Sequence, residues 1–210
     1  MAEHAGAYFL GGSPCAGKST VAALLATEYG LRVYSCDAAF ERHAASATES
    51  RSLTLARLRR MNWDAIFLRP LGPMTRDAVL ACAEAFAFAV ADLAALPPGP
   101  PVLAEGMTLL PACVASLGPA ALARAAWLVP APGFQRAHYA RRPWARAVVG
   151  RTADPTVAFE NWMRRDEASA RLVRAQARRV GAPVRVVREG EPVDVVAAWV
   201  AARLGLGAER

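Results

Sequence analysis

Ala7-Tyr8-Phe9-Leu10-Gly11-Gly12-Ser13-Pro14-Cys15-Ala16-Gly17-Lys18-Ser19-Thr20 is the stretch on which the fold turns. A short apolar run enters a pair of glycines. After Gly17 comes Lys18–Tyr29, in which Val21, Leu24, Leu25 and Tyr29 recur at helical spacing before Gly30. The apolar run reads as a buried strand and the periodic segment as an amphipathic helix. Between them, residues 12–19 match GxxxxGK followed by Ser or Thr. Gly12 and Gly17 admit the backbone angles of a tight curl, so successive N–H groups can point at one centre. The helix start adds partial positive charge there. The pattern predicts a cradle for the phosphates of ATP or GTP, lined by Gly12, Ser13, Pro14, Cys15, Ala16, Gly17, Lys18, Ser19 and Thr20. Lys18 is expected to reach the β- and γ-phosphates, and the Ser19 hydroxyl to ligate Mg²⁺.

The rest of the chain alternates strand and helix around that turn. Arg32–Ser35, Val102–Ala104, Ala125–Val129 and Val184–Val187 read as four further short strands. Ala38 to about Leu96 reads as mostly helical, interrupted near Met61–Pro73, with Thr75–Leu96 as one long helix stopped by Pro97-Pro98-Gly99-Pro100-Pro101. Thr156–Val180, with Phe159, Met163 and Leu172 on its apolar face, and Val193–Leu204 are two more helices. Five short apolar strands separated by helices predict an α/β fold with a parallel sheet covered on both faces.

Composition narrows the class. The chain has 210 residues, 54% of them hydrophobic, enough for one domain with its own core. The short polar start, Met1–Ala7, has no leader pattern, and the longest uncharged run, Glu105 to Arg124, is broken by Pro111, Gly118 and Pro119. These features lead us to expect a cytoplasmic protein with no membrane partner. Cys15, Cys36, Cys82 and Cys113 lack CxxC spacing and read as free thiols. Residues 120–210 carry 16 basic and 8 acidic groups against 9 and 10 in residues 1–119, so the net charge of +7 comes from the second half. Lys18 is the sole lysine among 25 basic residues. It stands where a compact ammonium on a flexible stem suits the chemistry better than a planar fork.

Ligands of parallel sheets bind at the carboxyl ends of strands. Asp37, directly after the second strand, is therefore expected beside the γ-phosphate, with a helix N-cap as its alternative role. Glu105 closes the third strand in the place of a Walker B acid, although the usual residue there is Asp. Both carboxylates are candidates to hold Mg²⁺ through water. Gly133–Arg151 carries Arg136, Arg141, Arg142, Arg146 and Arg151 with no acid. Arg141, Arg142 or Arg146 is expected to neutralise charge on the transferring phosphoryl group. Phe40, His43, Arg57, Trp63 and Phe67 are side chains that could touch an acceptor, or else pack or face solvent.

Taken together, the motif, Asp37, Glu105 and the arginine cluster resemble the P-loop small-molecule kinases of the nucleoside-monophosphate-kinase-like group, which includes shikimate and gluconate kinases and chloramphenicol phosphotransferase. The resemblance implies a P-loop NTPase fold with strand order 2-3-1-4-5, a helical acceptor-binding insert at 38–96 and an arginine-bearing lid at 133–152. It implies that Asp37 serves as base or anchor for the acceptor hydroxyl, and the spacing from the loop to Asp37 resembles that of chloramphenicol phosphotransferase. Arg141-Arg142-Pro143 resembles the arginine–proline lid motif of shikimate kinase, and Arg188–Pro192 stands where the adenine-contacting loop would lie. The catalytic set implied is Lys18, Asp37, Glu105, Arg141 and Arg142, with Arg146 on the nucleotide.

The expected activity is transfer of the γ-phosphoryl group from ATP or GTP, with Mg²⁺, to a hydroxyl of a small metabolite or antibiotic. A nucleotide or coenzyme precursor as acceptor shares this chemistry. The competing reading is a nucleotide switch or nucleic-acid binder that uses the loop without a small acceptor. Neither Asn62 nor Asn161, the only asparagines, begins an NKxD guanine motif, and no extended basic tract interleaved with aromatics is present, which argues against nucleic acid. No oligomeric partner is read from the sequence.

Overall fold

The computed structural model describes residues 7–207; apart from Ala7, the polar start read as lacking a leader lies outside the described residues. Five strands form one sheet: β1 (Ala7–Gly12), β2 (Arg32–Ser35), β3 (Val102–Glu105), β4 (Ala125–Pro130) and β5 (Val184–Val187). Their order is β2-β3-β1-β4-β5 and every pairing is parallel. All five carboxyl ends therefore share one edge. The chain crosses to opposite sides of β1 there, which opens a crevice at the end of the central strand.

Strand alternation distributes the core. Leu10, Leu103 and Leu128 meet α1 (Lys18–Tyr29) and α11 (Val193–Leu204) on one face. Phe9, Ala104 and Trp127 point to the other, where α5 (Leu71–Ala94) and α10 (Pro155–Arg179) contribute Phe86 and Val173. On α1 the buried stripe is Lys18, Val21, Ala22 and Leu25. Leu24, expected inside, is 41% exposed, because the 18-21-22-25 phase turns it away from the sheet. That same phase brings Lys18 onto the core face directly after the loop.

The insert is helical but more broken than expected. It comprises α2 (Cys36–Ser46), α3 (Leu53–Arg59), α4 (Trp63–Phe67) and α5. The chain leaves helix at Ala47–Ser52, inside a stretch read as continuous. The signal for restarting lies far away: the Glu84 carboxylate on α5 accepts the N–H groups of Thr54 (2.9 Å) and Leu55 (2.8 Å), satisfying the start of α3. Pro73, read as part of the break, sits in the first turn of α5, where a missing N–H costs little.

Between β3 and β4 lie α6 (Pro111–Ala115) and α7 (Pro119–Ala123), and after β4 come α8 (Pro132–Ala140) and α9 (Pro143–Val149). A separate apolar cluster of Phe67, Met74, Tyr139, Ala145, Val149, Trp162 and Met163 joins insert, α8–α9 and α10. On α10 the buried side chains include Trp162, Met163, Asp166 and Val173, while Leu172, expected inward, is only partly buried. No helix of the described residues is long and apolar enough to cross a membrane. All four cysteines are free.

Two glycines separate packing from conformation. A Cβ on Gly12 (φ +132°) would lie 1.8 Å from the Leu128 carbonyl oxygen, whereas one on Gly17 (φ +78°) meets nothing within 4 Å. Gly12→Ala should therefore cost about 3 kcal/mol or more, from a backbone clash plus strain. Gly17→Ala should cost about 1–2 kcal/mol, from the left-handed backbone alone. Urea denaturation of both variants checks this; equal costs would contradict the packing of β1 against β4.

Candidate active site

β1 ends at Gly12 and α1 begins at Lys18, so Ser13–Gly17 is the whole connection. Three positive φ angles curl it: Gly12 (+132°), Cys15 (+62°) and Gly17 (+78°). Cys15 is the only such non-glycine residue among those described. The Ser13 N–H is fixed on the Leu128 carbonyl (3.1 Å), which anchors the loop to β4. The first helical bond after it runs from Val21 N–H to Gly17 O (2.9 Å). Among the described residues, the N–H groups of residues 15–20 meet no acceptor, so a row of donors lines the bend and the first turn of α1.

Lys18 is 5% exposed, and its Nζ donates to the Ser13 carbonyl at 2.9 Å. Among the described residues no carboxylate pairs with it. A buried ammonium beside free N–H donors and a helix N-terminus is an excess of positive charge in a confined place, and its complement is an anion.

The two carboxylates lie on the neighbouring strands' side. Glu105 is 1% exposed; it accepts from Ser19 Oγ (3.2 Å) through Oε2 and from Ser35 Oγ (2.6 Å) through Oε1. The sheet register sets this, because Leu10, Glu105 and Ser35 stand in one row across β1, β3 and β2. Ser35 is also the N-cap of α2: its Oγ accepts the Ala38 N–H (3.3 Å). The capping role weighed for Asp37 thus belongs to Ser35, two residues earlier. Asp37 is exposed in the first turn, and its Oδ1 accepts the Met107 N–H (3.0 Å) just past Glu105. Gly106 (φ +146°) permits this approach, since a Cβ there would be 2.9 Å from Asp37 Oδ1. Both carboxylates flank Cys36, whose thiol is pushed up by burial, then by the charges of Asp37 and Glu105.

The arginines of α8–α9 are less free than their density suggests. Arg136 is bonded to Glu160 (2.7 Å) and Glu167 (2.9 Å) on α10. Arg146 donates Nε and Nη2 to the Ala140 carbonyl (3.1 and 2.9 Å), closing the α8–α9 turn. Arg151 covers the Trp63 ring. The acids that answer this segment come from α10, beyond the window in which no acid occurs. Arg141 is exposed. Arg142 rests over Trp144; burial pushes the Cys15 thiol up, and the Arg142 charge is the strongest influence opposing that rise. At the end of β5, Glu191 binds Arg185 and accepts the Arg188 N–H, holding the 188–192 turn together.

A cavity of about 560 Å³ opens from the loop. Gly12, Ser13 and Pro14 form one end, and the insert helices and α10 form its walls. Phe40, Trp63 and Phe67, three of the five insert side chains expected at an acceptor, line it. The other two do not. His43 is buried against Asp92 (2.8 Å) and Phe88, and Arg57 pairs with Asp77 (2.7 Å).

No protein-family model matches the chain, and no curated protein matches it significantly.

One cluster escaped sequence reasoning. Asp166, 3% exposed, accepts from Tyr139 Oη (3.0 Å), Trp162 Nε1 (3.1 Å) and the Arg165 guanidinium (2.7 Å). It lines the cavity and ties α8 to α10. The legible signal was a carboxylate four residues after Trp162, on the apolar stripe of an otherwise solvated helix.

Proposed function

We propose that the protein is an ATP- or GTP-dependent phosphotransferase that moves the γ-phosphoryl group to a hydroxyl of a small molecule held in the cavity. The observation that carries this reading is the buried Lys18 ammonium, without a carboxylate partner among the described residues, beside the unbonded N–H groups of residues 15–20. These groups suit the β- and γ-phosphates, and the loop is the P-loop of this reading. Ser19 and Glu105 are hard oxygen donors joined to each other, a set that fits Mg²⁺. Among the described residues no cluster of three His, Cys, Asp or Glu could bind a metal by itself, so these two would share the ion with phosphate oxygens. Mg²⁺ would draw charge from those oxygens; Ser19 and Glu105 orient that end of the loop.

In this reading Asp37, which accepts the Met107 N–H, takes the acceptor's hydroxyl proton, and Arg142 meets charge on the transferring group from the α8–α9 side. The cavity favours a small acceptor over a switch or nucleic-acid role, because it begins at the loop and is enclosed by helices.

Two measurements test the proposal. Calorimetric titration with Mg-ATP should show binding at millimolar concentrations or tighter, and ADP should form when an acceptor is supplied. Arg142→Gln should slow transfer by about 10²-fold with melting temperature little changed. Unaltered transfer by that variant would remove Arg142 from the chemistry.

A further inference from the structure

The cavity's lining also speaks to the kind of acceptor, on the premise of the phosphotransferase reading. Its walls are mainly apolar: Phe40, Leu55, Trp63, Phe67, Met74 and Trp162 supply large faces. Two of the three arginines on them are matched. Arg69 is bonded to Asp77 and Arg165 to Asp166, while the exposed Arg59 donates to the Ala45 carbonyl (2.9 Å) and pairs with no carboxylate among the described residues. Asp77 also takes Arg57, which is half exposed and outside the cavity lining. Away from the exposed Arg59, an acceptor bearing a phosphate or carboxylate would have to draw Arg69 or Arg165 from its carboxylate, or enter an apolar chamber with its charge uncompensated.

One polar group of the lining is unmatched. Ser13 is 2% exposed, and among the described residues its Oγ has no hydrogen-bond partner. Its carbonyl holds Lys18 Nζ, so Ser13 is where the phosphate cradle and the cavity meet. A buried hydroxyl at that point is placed to bond a ligand atom. Met107, whose N–H donates to Asp37 Oδ1, lines the same cavity.

From this geometry we infer that the acceptor is an uncharged, largely apolar alcohol. Its aromatic or polycyclic body fills the chamber, and its reacting hydroxyl bonds Ser13 Oγ at the loop end. In the transfer, the acceptor oxygen forms a bond to the γ-phosphorus as the bond from that phosphorus to the β–γ bridging oxygen breaks. The electron pair leaves with the nucleoside diphosphate, and the hydroxyl proton passes to the Asp37 carboxylate. Ser13 is a positioning residue, and a pocket of this size and lining matches a drug-sized ligand.

The test measures ADP formation and calorimetric binding with Mg-ATP, using a panel of neutral aryl alcohols led by naphthylethanol, against adenosine monophosphate and gluconate. Wild type should bind at least one neutral alcohol and respond to it with ADP formation, and should do neither with the two anions. Ala78→Phe, which fills the chamber from α5, should weaken alcohol binding about tenfold or more while Mg-ATP binding is kept. Ser13→Ala should raise KM for the alcohol or lower kcat by about tenfold with the same melting temperature, and Ser13→Thr should restore part of the loss. A response to either anion, or indifference of alcohol binding to Ala78→Phe, overturns the inference. So does failure of every neutral alcohol to bind while Mg-ATP binds. Loss of Mg-ATP binding in the wild type would instead bring down the phosphotransferase reading, and calorimetry without acceptor separates the two failures.

Discussion

Replacing Lys18 with Ala should lower phosphoryl turnover by ~10²-fold or more, the equivalent of about 3–4 kcal/mol of transition-state stabilisation. The expectation follows from where the ammonium sits. It is buried, bonded to the carbonyl of Ser13, and without a carboxylate partner among the described residues. Its positive charge is therefore available to an anion. The folded state should not suffer, because an uncompensated buried charge is a burden on the native state and its removal relieves it. Loss of activity with an unchanged or higher urea midpoint is the signature of such a site. Steady-state ADP production and denaturation on the same preparation give both numbers. Near-normal turnover would be fatal to the phosphate role of the loop. An arginine at this position is not a conservative substitute, since a planar fork differs in shape from a compact ammonium on a flexible stem.

The second large effect is on stability. Asp166→Ala should destabilise the protein by about 3–5 kcal/mol, the usual consequence of stranding one member of a buried ion pair. Asp166 accepts from Tyr139, Trp162 and Arg165 together. Truncation leaves three donors without an acceptor, and Arg165 is enclosed against the Phe67 and Trp162 rings. Asp166→Asn, which keeps one carbonyl oxygen, should fall between wild type and Ala. Urea unfolding followed by tryptophan fluorescence suits the site because Trp162 reports directly on it. A cost below about 1 kcal/mol for Asp166→Ala would mean that water reaches the pair and screens it. Because Tyr139 belongs to α8 and Asp166 to α10, the same variant should loosen α8–α9 from the cavity wall.

These two residues mark how far local reading goes. Lys18 announces itself: the spacing of Gly12, Gly17, Lys18 and Ser19 is contiguous, and its stereochemical demands are met within one turn of chain. Asp166 does not. On α10 it looks like one acid among many charges, and only the helix phase set by Trp162 and Met163 turns it inward. Asp37 lies between the extremes. Its position after β2 was legible, but the capping role considered for it went to Ser35. Arg136 and Arg146 were legible as charges, yet their partners, Glu160, Glu167 and the Ala140 carbonyl, are set by how α8 folds back on α10 and α9.

Sequence alone determined the five strands, their alternation with helices, and the curled turn with its lysine, because each rests on local patterning: apolar runs, helical period and glycine at strained angles. The parallel order β2-β3-β1-β4-β5 was expected from resemblance and is the order in the structure. Tertiary structure alone decided the break at Ala47–Ser52, the row that joins Ser35 and Ser19 through Glu105, the pairing of Arg69 and Arg165 with carboxylates at the cavity, and the unmatched Ser13 hydroxyl. Each depends on which groups from distant segments come within about 3 Å of one another, the range of a hydrogen bond. A hydrogen bond or an ion pair has no signature in the sequence until packing brings both partners together.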